Sequence, residues 1–338
     1  MDLNSLLESK EYEFLRTNEH LGSNICMIAL GGSWAYGTNI ETSDVDIRGC
    51  ALNTKEEILT NQKFEQFVDN ETDTTIYGFN KLLKLLSNCN PNTIEILGLK
   101  PEHYLYLSEE GKELLKNRHM FLSKRAYYSF GGYAYSQLRR LDNKSMRKLS
   151  QPEKEQHILN SIFNASTTFE EKYFEVPKDA IKLYIGKSET DELEEEIFMD
   201  VNLKHYPLRD YKGMWAEMNN IVKEYSKLGH RNTNAIKRGK LSKHAMHLIR
   251  LYMMCHDILI NEEIITYRDK EHDLLMDIRN GKYLDDNDQP TKEFTEMVDY
   301  YQNLIEEDFK KTKLPSKVDI HEINKFMSKI NERIILKG

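Results

Sequence analysis

The sequence predicts a mixed α/β (α+β) fold, with an N-terminal sheet-containing unit followed by a mainly helical remainder, and three observations carry that expectation. Asn24 to Leu30 (NICMIAL) is an almost unbroken apolar run stopped by Gly31-Gly32, the pattern of a strand buried on both faces. Val45 to Leu52 and Thr74 to Tyr77 are two further strand candidates, the second rich in β-branched and aromatic residues. From Glu109 onward apolar residues recur at helical spacing instead.

Each element follows from a local pattern. Between Gly78 and Cys89, the residues Phe79, Leu82, Leu83, Leu85 and Leu86 recur with helical period. Asn90-Pro91-Asn92 then breaks the chain, and Asn92 or Thr93 can cap a helix running through Ile94, Ile96 and Leu97. Later helices are expected over Gly111 to Phe121, Lys124 to Leu141, Glu153 to Phe174 and Lys212 to Leu228. Four more are expected over Ser242 to Ile260, Asp269 to Asn280, Thr291 to Lys311 and Val318 to Leu336. Ala180 to Ile185 and Ile197 to Leu203 interrupt this series as a β-hairpin over about 180–204, with the acidic cluster Asp191 to Glu196 as a solvated tip. The expected domains are therefore 1–108 and 109–338.

With 39% hydrophobic and 30% charged residues, the chain has the composition of a soluble globular protein and is too apolar for a disordered one. A formal net charge of −8 gives no overall attraction to nucleic acid or anionic membrane, so a nucleic-acid partner would need a local basic patch. Lys124-Arg125, the aromatic residues Tyr127, Tyr128, Phe130, Tyr133 and Tyr135, and Arg139-Arg140 interleave charge with rings. Such a mix suits base stacking, or equally a packed helix with exposed ends. Lys237, Arg238 and Lys240 form a second basic cluster. No apolar run approaches the roughly 18 residues of a membrane span. Met1-Asp2-Leu3-Asn4 does not begin a signal peptide, and Cys26, Cys50, Cys89 and Cys255 are scattered. The expectation is a cytoplasmic protein with reduced cysteines and no membrane partner.

The chemistry is concentrated in Leu30 to Gly49, LGGSWAYGTNIETSDVDIRG. A buried strand ends at Gly31-Gly32, and Ser33 stands where a helix can begin. Small residues there let backbone approach a ligand, and free N–H groups at a helix start attract phosphate. Asp44 and Asp46 flank Val45 at the start of a strand, so alternation turns both carboxylates to one face and Val45 to the core. Adjacent carboxylates repel unless a cation sits between them, and hard oxygen donors select Mg²⁺ or Mn²⁺. A phosphate-cradling turn beside paired carboxylates is equipment for phosphoryl or nucleotidyl transfer, with two ions as the expected arrangement. Arg48 shares the face of Asp46, where it can contact a triphosphate or offset the negative charge.

This run resembles the signature of the DNA polymerase β nucleotidyltransferase superfamily, a Gly-Ser turn followed by Asp-x-Asp. It is most similar to the branch of predicted bacterial and phage nucleotidyltransferases that includes the RNA-repair-associated RlaP proteins. Ser33, Ala35, Tyr36, Gly37, Ser43, Asp44, Asp46, Arg48 and Gly49 match that branch's pattern. Asp73 to Leu97 (DTTIYGFNKLLKLLSNCNPNTIEIL) resembles its strand, helix and Asn-Pro-Asn…Glu stretch, and Lys243 to Arg250 (KHAMHLIR) its later helix. The resemblance implies a polymerase-β-type nucleotidyltransferase domain over 1–108, with an NTP bound by Gly32, Ser33, Tyr36, Gly37, Ser43 and Arg48. It further implies a third carboxylate that completes the metal site and takes the acceptor's proton. Asp73 fits best, because it opens the Thr74 to Tyr77 strand, with Asp69 and Glu71 as competitors.

Lys81 matches a basic family position and either reaches phosphate or is a solvated helix lysine. Glu95 either orients metal ligands or compensates the start of its helix. Along Ser242 to Ile260, Lys243, His247 and Arg250 share a narrow stripe, with Asp257 close to it, on a helix otherwise apolar nearly all round. That stripe faces a triphosphate or an RNA end, or else closes an internal salt bridge through Arg250. His244 lies off the stripe, as a core histidine or a further candidate. The expected reaction moves a nucleoside monophosphate from an NTP to an acceptor hydroxyl, with an RNA 3′ end (tRNA or another) implied by the resemblance. A protein side chain or small molecule as acceptor, and a non-catalytic nucleotide- or RNA-binding role, are the alternatives.

Overall fold

All six residues of β1 (Ile25–Leu30) are buried, as an unbroken apolar run requires of a central strand. The computed structural model describes residues 3–60, 62–145, 180–187, 195–226, 238–286 and 289–337, together with 152, 155, 156, 158 and 159. After β1 come α1 (Gly32–Tyr36), β2 (Ile47–Ala51), β3 (Gln66–Asp69), β4 (Thr74–Gly78), α2 (Phe79–Leu86) and β5 (Tyr104–Leu107). The strands form one mixed sheet in the order β3-β4-β2-β1-β5. Its β2–β4 pair is parallel, in the register Ile47↔Thr74 and Arg48↔Thr75, while β1 runs antiparallel to both β2 and β5.

That topology positions the chemistry. The residues that precede β2 and β4, Asp46 and Asp73, are brought to the same end of two neighbouring parallel strands. β1 ends there too, because Leu30 pairs with Ile47. Below this end, Ile28, Leu30, Ile47 and Ile76 pack in one buried cluster with Tyr12, Leu15 and Leu21 of the N-terminal segment. Each such side chain contributes about 1.5–3 kcal/mol by leaving water. Val45 is half-buried against the same cluster, which fixes the entry into β2.

Next come α3 (Glu109–Lys116), α4 (Arg125–Ser145), β6 (Ile181–Lys187), β7 (Glu195–Val201), α5 (Leu208–Ser226), α6 (Arg238–His256), α7 (His272–Arg279), α8 (Lys292–Lys311) and α9 (Ile320–Lys337). A β-carbon on Gly111 of α3 would lie 2.3 Å from the Cys26 carbonyl oxygen of β1. The 108/109 position, where a division was expected, thus joins β5 to a helix seated directly on the sheet. By its contacts the chain divides into Met1–Gln137 with Ala245–Arg279 and Lys292–Gly338, and Leu138–His244 with Asn280–Thr291. In the first unit, α9 buries Ile323, Phe326 and Ile330 at helical spacing, and Phe326 meets Phe79 of α2 at 6.2 Å between ring centroids.

In the second unit the expected hairpin is present, with Ile181 opposite Val201 and Lys187 opposite Glu195. Ile181 and Leu183 form a buried cluster with Met214 and Met218 of α5. Residues 188–194, which include most of the expected acidic tip, lie outside the described residues, as does most of the helix expected over Glu153 to Phe174. α6 begins ahead of the expected Ser242 and gives way at Asp257–Asn261 to a π-helical turn. All four cysteines are buried and free. Among the described residues no helix is long and apolar enough to cross a membrane.

Candidate active site

The turn after β1 is built around the Asp46 carboxylate. The Gly31 N–H donates to the Asp46 carbonyl at 2.8 Å, which ties the end of β1 to the residue ahead of β2. Gly32 has φ +53°, and a β-carbon there would lie 1.8 Å from Asp46 Oδ2. Only glycine permits both that backbone conformation and that approach. α1 carries no side-chain cap at its N-terminus, where Ser33 sits half-buried. It ends at Gly37, φ +73°, whose N–H reaches the Ser33 and Trp34 carbonyls and which packs against the Tyr267 ring.

Ser43 then shapes the loop that presents the first carboxylate. Its hydroxyl accepts from the Ile40 N–H at 2.8 Å and from the Arg279 guanidinium at 3.2 Å. Asp44, next in sequence, is exposed. Arg279 is buried at 6% exposure and shows no carboxylate partner among the described residues, and burial lowers its pKa. Sequence reasoning did not single it out. A basic residue in the last turn of a helix is ordinary, and nothing local connects it to a serine 236 positions away.

Asp46 is half-buried, and its carboxyl is raised above the usual carboxylate range. Desolvation is the largest cause; Arg48 opposes it, and the charges of Asp73 and Asp44 add to it. Arg48 donates to Asp46 Oδ1 at 3.3 Å and to the backbone carbonyls of Ile47 at 2.9 Å and Asp73 at 2.5 Å. The guanidinium therefore lies along the join between β2 and β4. Asp73 is exposed in the left-handed conformation, φ 48°. Of its competitors, Asp69 accepts from the Thr72 N–H and hydroxyl through one oxygen and so shapes the turn, while Glu71 stands exposed at the tip. A partly desolvated Asp46 and the two carboxylates whose charges reach it, Asp44 and Asp73, form a donor set chemically suited to a hard divalent cation, which would relieve their repulsion. Among the described residues, no three ligating side chains are already gathered around a metal-sized point.

Beneath the loop lies a buried polar network. The Tyr36 hydroxyl donates to both oxygens of Glu95 at 3.0 Å. Arg250 is 1% exposed and donates to Glu95 Oε2 at 3.3 Å. Its Cζ sits 3.4 Å from the centre of the Tyr36 ring, and its other terminal nitrogen meets His247 Nδ1 at 3.0 Å. Burial raises the Glu95 carboxyl against the opposing pull of Arg250, and burial also raises the Tyr36 hydroxyl. Arg48 and Glu95 line one cavity of about 10 Å³ with Gly31, Ala35 and Tyr77, so the network supports the loop from below. Of the two roles the sequence left open for Arg250, the geometry is that of the internal ion pair.

Lys81 pairs with Glu65 at 2.9 Å on the surface. Lys243, exposed, and His244, half-buried, belong to the second unit. Asp257 pairs with the buried Arg268 at 2.6 Å. Among the aromatic residues of α4, Phe130 is fully buried, Tyr127 packs on Phe309 and Tyr128 is exposed. The side chains of Tyr135, Arg139, Arg140, Lys237, Arg238 and Lys240 lie outside the described residues.

No curated protein and no solved structure matches the chain. One family model does, that of the RNA repair pathway DNA polymerase beta family, RlaP, over residues 7–329. With the match spanning nearly the whole chain, this protein belongs to the RlaP family.

Proposed function

We propose that the protein transfers a nucleoside monophosphate from an NTP to an acceptor hydroxyl, releasing pyrophosphate, and that the acceptor is an RNA 3′ end. The observation that carries the reading is the approach of the Gly32 backbone to Asp46 Oδ2. It sets a turn suited to phosphate against a carboxylate that has two more carboxylates in electrostatic reach. Membership of an RNA repair family supports RNA as the acceptor.

In the proposed reaction the acceptor oxygen bonds to the α-phosphorus, the bond from that phosphorus to the α–β bridging oxygen breaks, and the pair leaves with pyrophosphate. Asp73, exposed beside Asp46, takes the acceptor's proton. The Gly32-Ser33 turn holds the phosphates, and Arg48 and Arg279 supply fixed positive charge around the carboxylate loop. Mg²⁺ or Mn²⁺ held by Asp44, Asp46 and Asp73 would supply neutralisation of phosphate charge. Tyr36, Glu95, His247 and Arg250 keep the loop in place.

The test is incubation with each α-labelled NTP, Mg²⁺ or Mn²⁺ and RNA, beside Asp44→Ala and Asp46→Ala proteins shown to be folded. Label is expected on RNA with the intact protein and on nothing with the variants. Label on protein would move the function to protein modification. Undiminished pyrophosphate release by both variants would overturn the site.

A further inference from the structure

On the first unit, α2 and α9 enclose a groove of about 570 Å³, within the range of specific ligand sites. Three cations line it, Lys84, Arg125 and Lys317, and no carboxylate does. In a chain of net charge −8 that is unusual company. The pairing of neighbouring cations sharpens the point. Lys81, on the same helix as Lys84, pairs with Glu65, and on α9 both Lys329 and Arg333 pair with Glu113. Among the described residues the three groove cations have no ion-pair partner. Asp319, the nearest acid in sequence to Lys317, accepts from the N–H groups of His321 and Glu322 and so caps α9. The exposed residues Asn88 and Asn324 and the apolar side chains of Leu83, Ile323 and Met327 also line it.

We propose that this groove binds a single-stranded segment of the RNA substrate by its backbone. Three cations along one groove, none with an ion-pair partner among the described residues, complement successive phosphates. The amides supply donors and acceptors for sugar or base edges, and the apolar wall gives a base face somewhere to rest. Because its charged contacts are to the phosphates, the groove holds a strand with little preference for sequence. The choice of RNA over another polyanion rests on the reading that the acceptor is an RNA end.

Binding of a fluorescently labelled single-stranded RNA of about 12 nucleotides, followed by anisotropy without NTP or metal, tests this. The intact chain is compared with Lys84→Ala/Arg125→Ala/Lys317→Ala and with Lys81→Ala/Lys329→Ala, which removes paired cations from the same two helices. The groove variant is expected to bind at least about tenfold more weakly for every RNA sequence. Its salt slope should be shallower by about 2, at about 0.7 per phosphate contact on a single strand. Unchanged RNA binding by the groove variant overturns the proposal, as does equal loss in the paired-cation variant. An acidic peptide that binds the groove without competition from RNA also overturns it. Because binding is read without chemistry, the two readings separate: RNA binding that depends on the groove, with no transfer to RNA, refutes only the reaction, and transfer with groove-independent binding refutes only the groove.

Discussion

Substitution of Gly32 by alanine probes the proposed site where its geometry is tightest. The left-handed backbone at φ +53° costs a residue with a β-carbon about 1–3 kcal/mol. The larger consequence is local. The new β-carbon would stand 1.8 Å from Asp46 Oδ2 and 2.6 Å from Asp46 Cγ, well over an ångström inside van der Waals contact. The carboxylate is held between that backbone and Arg48, so it has to swing away or the turn has to open. A displacement of about 1 Å at a reacting centre costs on the order of 10²-fold in rate. Gly32→Ala should therefore lower kcat/KM by about two orders of magnitude, with a fall in Tm of only a few degrees. Gly31→Ala is the milder comparison, since its β-carbon would meet Arg48 Cγ at 2.8 Å and Asp46 Cβ at 3.3 Å, against 1.8 Å at Gly32, and its loss should be smaller. Pyrophosphate release and thermal melts on the same preparations check both. If Gly32→Ala turns over like the parent, or loses activity only in step with unfolding, the carboxylate does not act from this position.

Three other outcomes follow from the geometry. Arg250→Met should cost about 3–5 kcal/mol by leaving Glu95 buried and unpaired. Glu95→Leu/Arg250→Met should be less destabilised than Arg250→Met alone, as read from denaturant midpoints. Asp46 has a raised folded-state carboxyl, so its stabilising contribution is complete below the ordinary carboxylate range near about 4 and is lost as pH rises through the raised value. Asp46→Asn should consequently melt higher than the parent at neutral pH, the gap closing on acidification, while transfer is abolished; a gap that widens in acid would contradict the assigned cause. Arg279→Met, which removes one of the two donors to the Ser43 hydroxyl and with it a buried cation beside the residue that precedes Asp44, should lower kcat/KM at least about tenfold. Unchanged kinetics in that variant would reduce Arg279 to a packing residue.

The parts legible from sequence are those whose signal is local. NICMIAL declares a buried strand because both faces of β1 are covered, and Phe79 to Leu86 declares a helix because its apolar residues share one side. β3 and β5 escaped notice for the opposite reason. They are short edge strands, and Gln66–Asp69 keeps an exposed face that reads as loop. Asp69, Glu71 and Asp73 lie close together in sequence, so Asp73 was favoured only as the residue that opens its strand, with the other two as competitors. What distinguishes them is the hydrogen bonding of Asp69 to Thr72 and the parallel pairing that sets Asp73 beside Asp46. Arg279 was illegible for want of any local cue.

The blocks that resemble the family carry two kinds of work, and the structure separates them. Asp44, Asp46 and Arg48 lie around the start of β2, exposed or half-buried, where the proposed transfer would use them. Tyr36, Glu95 and Arg250 come from three distant blocks, Glu95 and Arg250 being 155 positions apart, and they meet as one buried cluster under the turn. A buried ion pair is weak evidence for net stability, since desolvation offsets much of its attraction. Its geometric demand is strict, however: Glu95 accepts from Tyr36 and Arg250 together, and Arg250 Cζ sits 3.4 Å from the centre of the Tyr36 ring. Tyr36 closes α1, the helix that opens with Gly32. Fixing its ring fixes the rotation of that helix, and so the distance between the Gly32 backbone and the Asp46 carboxylate. If the cluster acts in this way, the conservative Arg250→Lys should preserve much of the fold yet lower kcat more than it raises KM, because a single ammonium cannot sit over the Tyr36 ring while reaching Glu95 and His247 at once. An effect on stability alone, with kcat intact, would assign the cluster to folding and leave the turn to hold its own shape.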